Sequence, residues 1–267
     1  MRNTIAFIGV GNMGSAILNG ALGSGVFAPH QVVLCDMSHD KCQSFEALGC
    51  RYTSSAKEAA SLADCLLLAV KPQQIDLLLT EIAAEADGKL ILSIAAGVTI
   101  GKIEKYLPNA SVVRVMPNTP LQVGEGVSAL CRSARVSDED YALAFRIFSA
   151  SGMAFEADEA LINPITALTS SSIAYFARFI GDMCAWAEVN GFPNDKKTLE
   201  MVCRSAIGTA QLLIKTDFTP ATLERAVTSP HGTTERAMAV FNDADLAKTV
   251  ADAMDACRRR ADELAGT

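Results

Sequence analysis

Gly9-Val10-Gly11-Asn12-Met13-Gly14 is the stretch that most narrows what this chain can fold into. Four apolar residues, Ile5-Ala6-Phe7-Ile8, lead into it, and the helical pattern Ser15-Ala16-Ile17-Leu18 follows. A strand, a glycine turn and a helix in that order set three backbone problems that glycine solves. Gly9 permits the tight turn, Gly11 lets a ligand approach the backbone, and Gly14 lets the helix pack close to the strand. The unpaired N–H groups at the positive end of the helix, at Asn12, Met13 and Gly14, then suit an anion. In these flanks the motif predicts a bound dinucleotide with its pyrophosphate on the turn.

The pattern after the turn agrees. Apolar runs at Ile5–Ile8, Val32–Cys35, Cys65–Val70, Leu90–Ile94 and Ser111–Met116 alternate with amphipathic stretches. Those stretches run from Gly14 to Gly23, Asp40 to Leu48, Ser54 to Ala63, Ile75 to Ala86 and Ile100 to Tyr106. Strands at Val127–Cys131 and Met153–Glu156 flank a helix from Asp138 to Ala150. Alternating βα units with short connections predict an α/β fold, an N-terminal doubly wound Rossmann sheet over residues 1–157. Beyond Asp158 long helical periods take over, from Ile173 to Val189, Asp195 to Thr216, Pro220 to Val227, Thr233 to Asn242 and Ala244 to Leu264. Residues 158–267 are therefore expected to form an all-helical domain. Helices so rich in Ala, Leu and Met bury a face, part of it against another subunit.

Composition removes several alternatives. A net charge of −7 and a pI near 5.0 argue against nucleic acid or an anionic membrane as partner. No run has the length of a membrane span. The chain enters a strand at once, without a basic-then-apolar leader pattern, so a cytoplasmic protein is expected. The eight cysteines are scattered without a C-x-x-C pair and the histidines number three. Reduced packing cysteines and no metal site follow.

Asp36 stands just past the second strand, about twenty residues after the glycine turn, where a carboxylate accepts both adenosine ribose hydroxyls. Such a charge repels a 2′-phosphate and no arginine follows it directly, so the expectation leans to NADH over NADPH. Val70-Lys71-Pro72, Ala95-Ala96 and Met116-Pro117-Asn118 end three neighbouring strands, the edge where open α/β sheets bind ligands, and suit a flat ring. Thr228-Ser229-Pro230-His231-Gly232-Thr233-Thr234 lies between two helices, where hydroxyls and opening N–H groups suit a carboxylate, although Ser229 or Thr233 can equally serve as an N-cap.

These motifs, in order and across the whole chain, resemble pyrroline-5-carboxylate reductases. The resemblance rests on Phe7–Gly14, Ala69-Val70-Lys71-Pro72-Gln73, Ser93-Ile94-Ala95-Ala96-Gly97, Val227–Pro230, Gly232-Thr233-Thr234 and Arg260–Leu264, and above all on Arg114-Val115-Met116-Pro117-Asn118-Thr119-Pro120. It implies hydride transfer from NADH or NADPH to the imine carbon of 1-pyrroline-5-carboxylate, giving L-proline, with the helical domain dimerising and larger assemblies such as decamers forming. By carry-over, Ser229, Gly232 and Thr233 hold the substrate carboxylate and Thr234 hydrogen-bonds the ring nitrogen. Gly9, Gly11, Asn12, Met13, Gly14, Asp36, Val70, Lys71, Pro72, Ala95, Ala96, Met116, Pro117 and Asn118 line the cofactor.

Two departures fall on the substrate side. The family's Ser-Gly-Ser-Gly-Pro-Ala-Tyr, which opens the long helix and flanks the substrate, reads Thr169-Ser170-Ser171-Ser172-Ile173-Ala174-Tyr175 here, keeping the serine at Ser171. The second glycine of the carboxylate loop is His231, whose Cβ tolerates left-handed angles poorly, so a reshaped loop is expected. These departures motivate an alternative, a reductase of another small cyclic imine. A non-catalytic nucleotide-binding paralogue is a third reading.

Overall fold

Strand β1 (Ile5–Ile8) is buried on both faces, and the chain leaves it through the glycine turn into helix α1 (Asn12–Gly23). The structure, a computed structural model, describes residues 2–266. After β2 (Val32–Cys35) come the short helix α2 (Gln43–Glu46), β3 (Arg51–Thr53), α3 (Ala56–Leu62), β4 (Cys65–Leu68), α4 (Ile75–Ala86), β5 (Leu90–Ser93), α5 (Ile100–Tyr106) and β6 (Ser111–Met116). Then follow β7 (Gly126–Arg132), α6 (Asp138–Ser149), β8 (Gly152–Glu156) and the short α7 (Ile162–Ile165), which runs into a π-turn over Thr166–Ser170.

The eight strands form one sheet in the order β3-β2-β1-β4-β5-β6-β7-β8. All neighbours run parallel except β6 and β7, so the expected parallel sheet holds up to β6 and then reverses. The first six strands follow the doubly wound order, which places the switch point between β1 and β4, with the glycine turn at its carboxyl edge. Alternation along the strands divides the core. Ala6 and Ile8 face a layer with Ile75, Ile82 and Ile103. Ile5 and Phe7 face the other, with Ile17, Leu18 and Phe148. Five of the eight cysteines (Cys35, Cys42, Cys50, Cys65 and Cys131) are buried free thiols within these layers.

Helices α8 (Ser172–Val189), α9 (Lys196–Lys215), α10 (Pro220–Val227), α11 (Thr233–Asp243) and α12 (Leu246–Ala265) complete the chain. The chain divides into two compact units, one of residues 1–170 with 257–267 and one of 171–256. Residues 158–170 and the end of α12 thus belong to the unit that contains the sheet. The second unit leaves much apolar surface uncovered: Phe176, Phe179, Trp186, Ile207, Ile214 and Val240 are all exposed. Among the described residues, no helix is long and apolar enough to cross a membrane.

Candidate functional site

Each glycine of the turn is required for a different reason. Gly9 has φ of +100°, and a Cβ there would stand 2.6 Å from the Ala69 carbonyl oxygen, so β1 and β4 approach too closely for a side chain. A Cβ on Gly14 would collide with the Gly9 carbonyl, which lets α1 start directly over the turn. Gly11 has open space around it, and as N-cap of α1 it offers no capping side chain. The first N–H groups of α1, at Asn12, Met13 and Gly14, therefore lack an internal cap on the side where the backbone is bare. A cleft of about 530 Å³ runs from Gly9 and Gly11 past Asp36 and Met37 to Val70 and Lys71. The turn, the carboxylate and the β4 end are thereby brought to one place, and the bare Gly11 and uncapped helix fit a dinucleotide.

Asp36 is more occupied than its position in the sequence implies. Its Oδ2 accepts the Val10 N–H at 2.8 Å, fastening the glycine turn to the end of β2. Its Oδ1 accepts the Ser38 N–H at 2.9 Å and the Lys41 Nζ at 3.0 Å. Burial pushes this carboxyl upward, but the Ser38 and Val10 amides and the Lys41 ammonium outweigh it and hold the group below the usual carboxylate range. Lys41 stands five positions after Asp36, a spacing that marks no pair in the sequence. A 3₁₀ turn over His39–Lys41 folds the cation back.

The other strand ends lie beside this cleft in sheet order. Lys71 caps the 3₁₀ turn Pro72–Gln74. Ala95 is buried and Ala96 exposed beyond β5, and Met116 and Pro117 are buried at the end of β6. Asn118 is used inside the protein: its Oδ1 accepts the Val127 N–H at 2.8 Å and its Nδ2 donates to the Thr169 carbonyl at 2.9 Å. At 4% exposure it anchors this corner. Arg114, also buried, donates to Glu159 at 3.0 Å, and the same carboxylate oxygen accepts the Ile100 N–H that opens α5.

In the second unit, Ser229–Gly232 is a tight turn closed by the Gly232 N–H on the Ser229 carbonyl at 2.9 Å. Pro230 holds the second position and His231 the third, with φ of +59°. That is the pattern of a type II turn, whose third residue favours glycine. His231 thus holds a left-handed angle with a side chain present. The loop fastens through the His231 N–H, which donates to Glu235 at 2.8 Å. A Cβ on Gly232 would collide with the Ser229 hydroxyl. Gly232 also N-caps α11 without a side chain, and the hydroxyls of Ser229, Thr233 and Thr234 bond to no other described residue. Ser171 opens this unit as the N-cap of α8.

Residues 159–264 match the family described as pyrroline-5-carboxylate reductase dimerisation, and residues 4–97 match that described as NADP oxidoreductase, coenzyme F420-dependent. Pyrroline-5-carboxylate reductase from Escherichia coli (strain K12) is 34% identical, covering 99% of each chain. This chain belongs to the pyrroline-5-carboxylate reductase family. The solved pyrroline-5-carboxylate reductase of Coxiella burnetii superposes with a TM-score of 0.90 at 32% identity, over 99% of each chain. The Plasmodium falciparum pyrroline carboxylate reductase with NADP bound gives a TM-score of 0.90 at 27% identity, over 98% of each.

Against the family pattern, Ser170 stands where the first glycine of Ser-Gly-Ser-Gly-Pro is expected. Its hydroxyl donates to the Pro117 carbonyl at 3.1 Å. The departure adds a bond between the π-turn and the end of β6 that a glycine cannot make.

Proposed function

We propose that this enzyme reduces 1-pyrroline-5-carboxylate to L-proline with a hydride from NADH or NADPH. The full-length likeness to pyrroline-5-carboxylate reductases carries the reading. In it, Ser229, Gly232 and Thr233 hold the substrate carboxylate through hydroxyl and backbone N–H donors at the uncapped start of α11. Thr234 hydrogen-bonds the ring nitrogen, and Ser171 flanks the ring. Gly9, Gly11, Asn12, Met13 and Gly14 take the pyrophosphate, and Asp36 takes the adenosine ribose. Val70, Lys71, Pro72, Ala95, Ala96, Met116, Pro117 and the Asn118 backbone line the nicotinamide end.

When bound, the dihydronicotinamide supplies the hydride. The chain's own task is modest, because a protonated cyclic imine is already electrophilic. The site holds its carbon in reach of the donor and sheds water, and such proximity supplies several kcal/mol. As the C=N carbon gains the hydride, the nitrogen loses its positive charge and keeps its proton. The Thr234 hydroxyl accepts the N–H of the protonated imine and so orients the ring without serving as a strong acid.

Asp36 favours the unphosphorylated ribose, so the preference proposed is NADH. The uncovered apolar surface of the second unit suits a homodimer formed through the helices, with a decamer as the larger assembly. Residues 158–267 act as this dimerisation and substrate domain and residues 1–157 as the dinucleotide domain of a cytoplasmic enzyme. Steady-state oxidation of NADH and NADPH, with 1-pyrroline-5-carboxylate and a panel of cyclic imines, tests the reading. Turnover of another imine but not of 1-pyrroline-5-carboxylate refutes it.

A further inference from the structure

Lys41 lies in the first unit where two clefts meet. It borders the cleft that contains Asp36 and also a second cleft, of about 650 Å³, on the other side of the glycine turn beside Asn12, Ser15 and Asn19. Its ammonium lies 3.0 Å from Asp36 Oδ1, yet its side chain is half exposed while that of Asp36 is only 9% exposed. One partner of the ion pair is fixed by two backbone amides, and the other is a flexible stem at the rim.

The acceptor capacity of Asp36 makes this consequential. A carboxylate offers about four acceptor positions, two on each oxygen. Ser38 and Lys41 fill both on Oδ1, and Val10 fills one on Oδ2. One ribose hydroxyl can bond without disturbance; a pair of hydroxyls needs the place held by Lys41. A ribose carrying a 2′-phosphate brings two further negative charges beside Asp36, and the nearest cation able to meet them is the same ammonium.

We propose that Lys41 is a specificity-determining residue that exchanges partners with the cofactor. It releases Asp36 Oδ1 to the 2′,3′-diol of NADH, or leaves Asp36 to pair with the 2′-phosphate of NADPH. The ion pair thus softens a discrimination that Asp36 alone would impose, and one site admits both nucleotides. This rests on the reading of the glycine-turn cleft as the dinucleotide site.

The test is calorimetric titration of the intact oligomer with NAD⁺ and NADP⁺, for the wild type, Lys41→Met, Asp36→Asn and the double variant. The ratio of NADP⁺ to NAD⁺ affinity is expected to fall at least tenfold in Lys41→Met and to rise in Asp36→Asn. Raising the salt should lower wild-type NADP⁺ affinity more steeply than that of Lys41→Met. In the Asp36→Asn background Lys41→Met must still lower the ratio, because the ammonium meets the phosphate directly. A ratio unmoved by Lys41→Met in either background overturns the exchange while leaving the dinucleotide site standing. Failure of the wild type to bind either nucleotide overturns both.

Discussion

The side-chain amide of Asn118 joins the end of β6 to the π-turn, donating to the Thr169 carbonyl at 2.9 Å while accepting the Val127 N–H at 2.8 Å. Both partners are backbone groups, and Asn118 itself is buried. Asn118→Ala leaves a donor and an acceptor unpaired and should cost about 2 kcal/mol of stability. Thermal and denaturant unfolding check this. Because the same corner borders the proposed nicotinamide end, cofactor affinity should weaken in parallel.

Ser170 reinforces that corner through the Pro117 carbonyl at 3.1 Å. Ser170→Gly restores the family residue, loses the bond and adds backbone freedom. Stability should fall by about 1 kcal/mol. If the serine is a local brace, kcat with 1-pyrroline-5-carboxylate stays within about twofold of wild type, since no donor to the substrate is lost. A large change in kcat would place Ser170 in the substrate's path.

The Ser229–Gly232 turn gives a graded series. At φ of +59°, His231→Gly relieves a strained angle but loosens the unfolded chain, so stability should change by under about 1 kcal/mol. His231→Val puts a β-branched residue into the left-handed region and should raise the KM for the imine substantially. Gly232→Ala, whose Cβ would stand 2.9 Å from the Ser229 carbonyl oxygen, should raise it most.

Thr234→Ala should lower kcat about tenfold, the worth of one hydrogen bond to a charged ring nitrogen, while cofactor affinity stays within about twofold. Steady-state kinetics with separate cofactor titration read the two quantities. Unchanged turnover would remove Thr234 from its assigned role.

Two carboxyls set an acid limit. Asp36 is held below the usual carboxylate range, its burial being outweighed by the Ser38, Val10 and Lys41 donors. Asp64 is lowered first by the Asn3 amide and then, against some burial, by the Thr4 hydroxyl and amide. A depressed folded pKa stabilises the fold above the unfolded value and loses that effect as pH falls through the folded value. Stability and NAD⁺ affinity should therefore not decline through these two groups between pH 8 and about 5, and their contribution should be lost below about pH 4. Unfolding curves and binding titrations across that range give the comparison.

Much of this was legible in the residues, because the parts that set the fold are local. The three glycines carry their reasons in their spacing, and the doubly buried strands read as continuous apolar runs. Strand β3 is not legible because Arg51–Thr53 is three residues long, with only Thr53 buried. The reversal at β7 was not legible, since strand direction depends on how Thr119–Val123 turns the chain. The π-turn reads as ordinary sequence between helices, so its bonds to Asn118 and Pro117 had no local signal. Lys41 lay five residues from Asp36, and only the intervening 3₁₀ turn reveals the pair. His231 was legible as a departure, but the sequence could not say that a turn closed by Gly232 would hold its left-handed angle.

Hydride delivery to the imine carbon is measured most directly by isotope transfer. The intact enzyme is supplied with 1-pyrroline-5-carboxylate and NADH or NADPH deuterated at the transferring position of the nicotinamide, and the product is weighed by mass spectrometry. The expected product is proline carrying one deuterium, on the ring carbon that formed the C=N bond. Cofactor binding without labelled proline would contradict it.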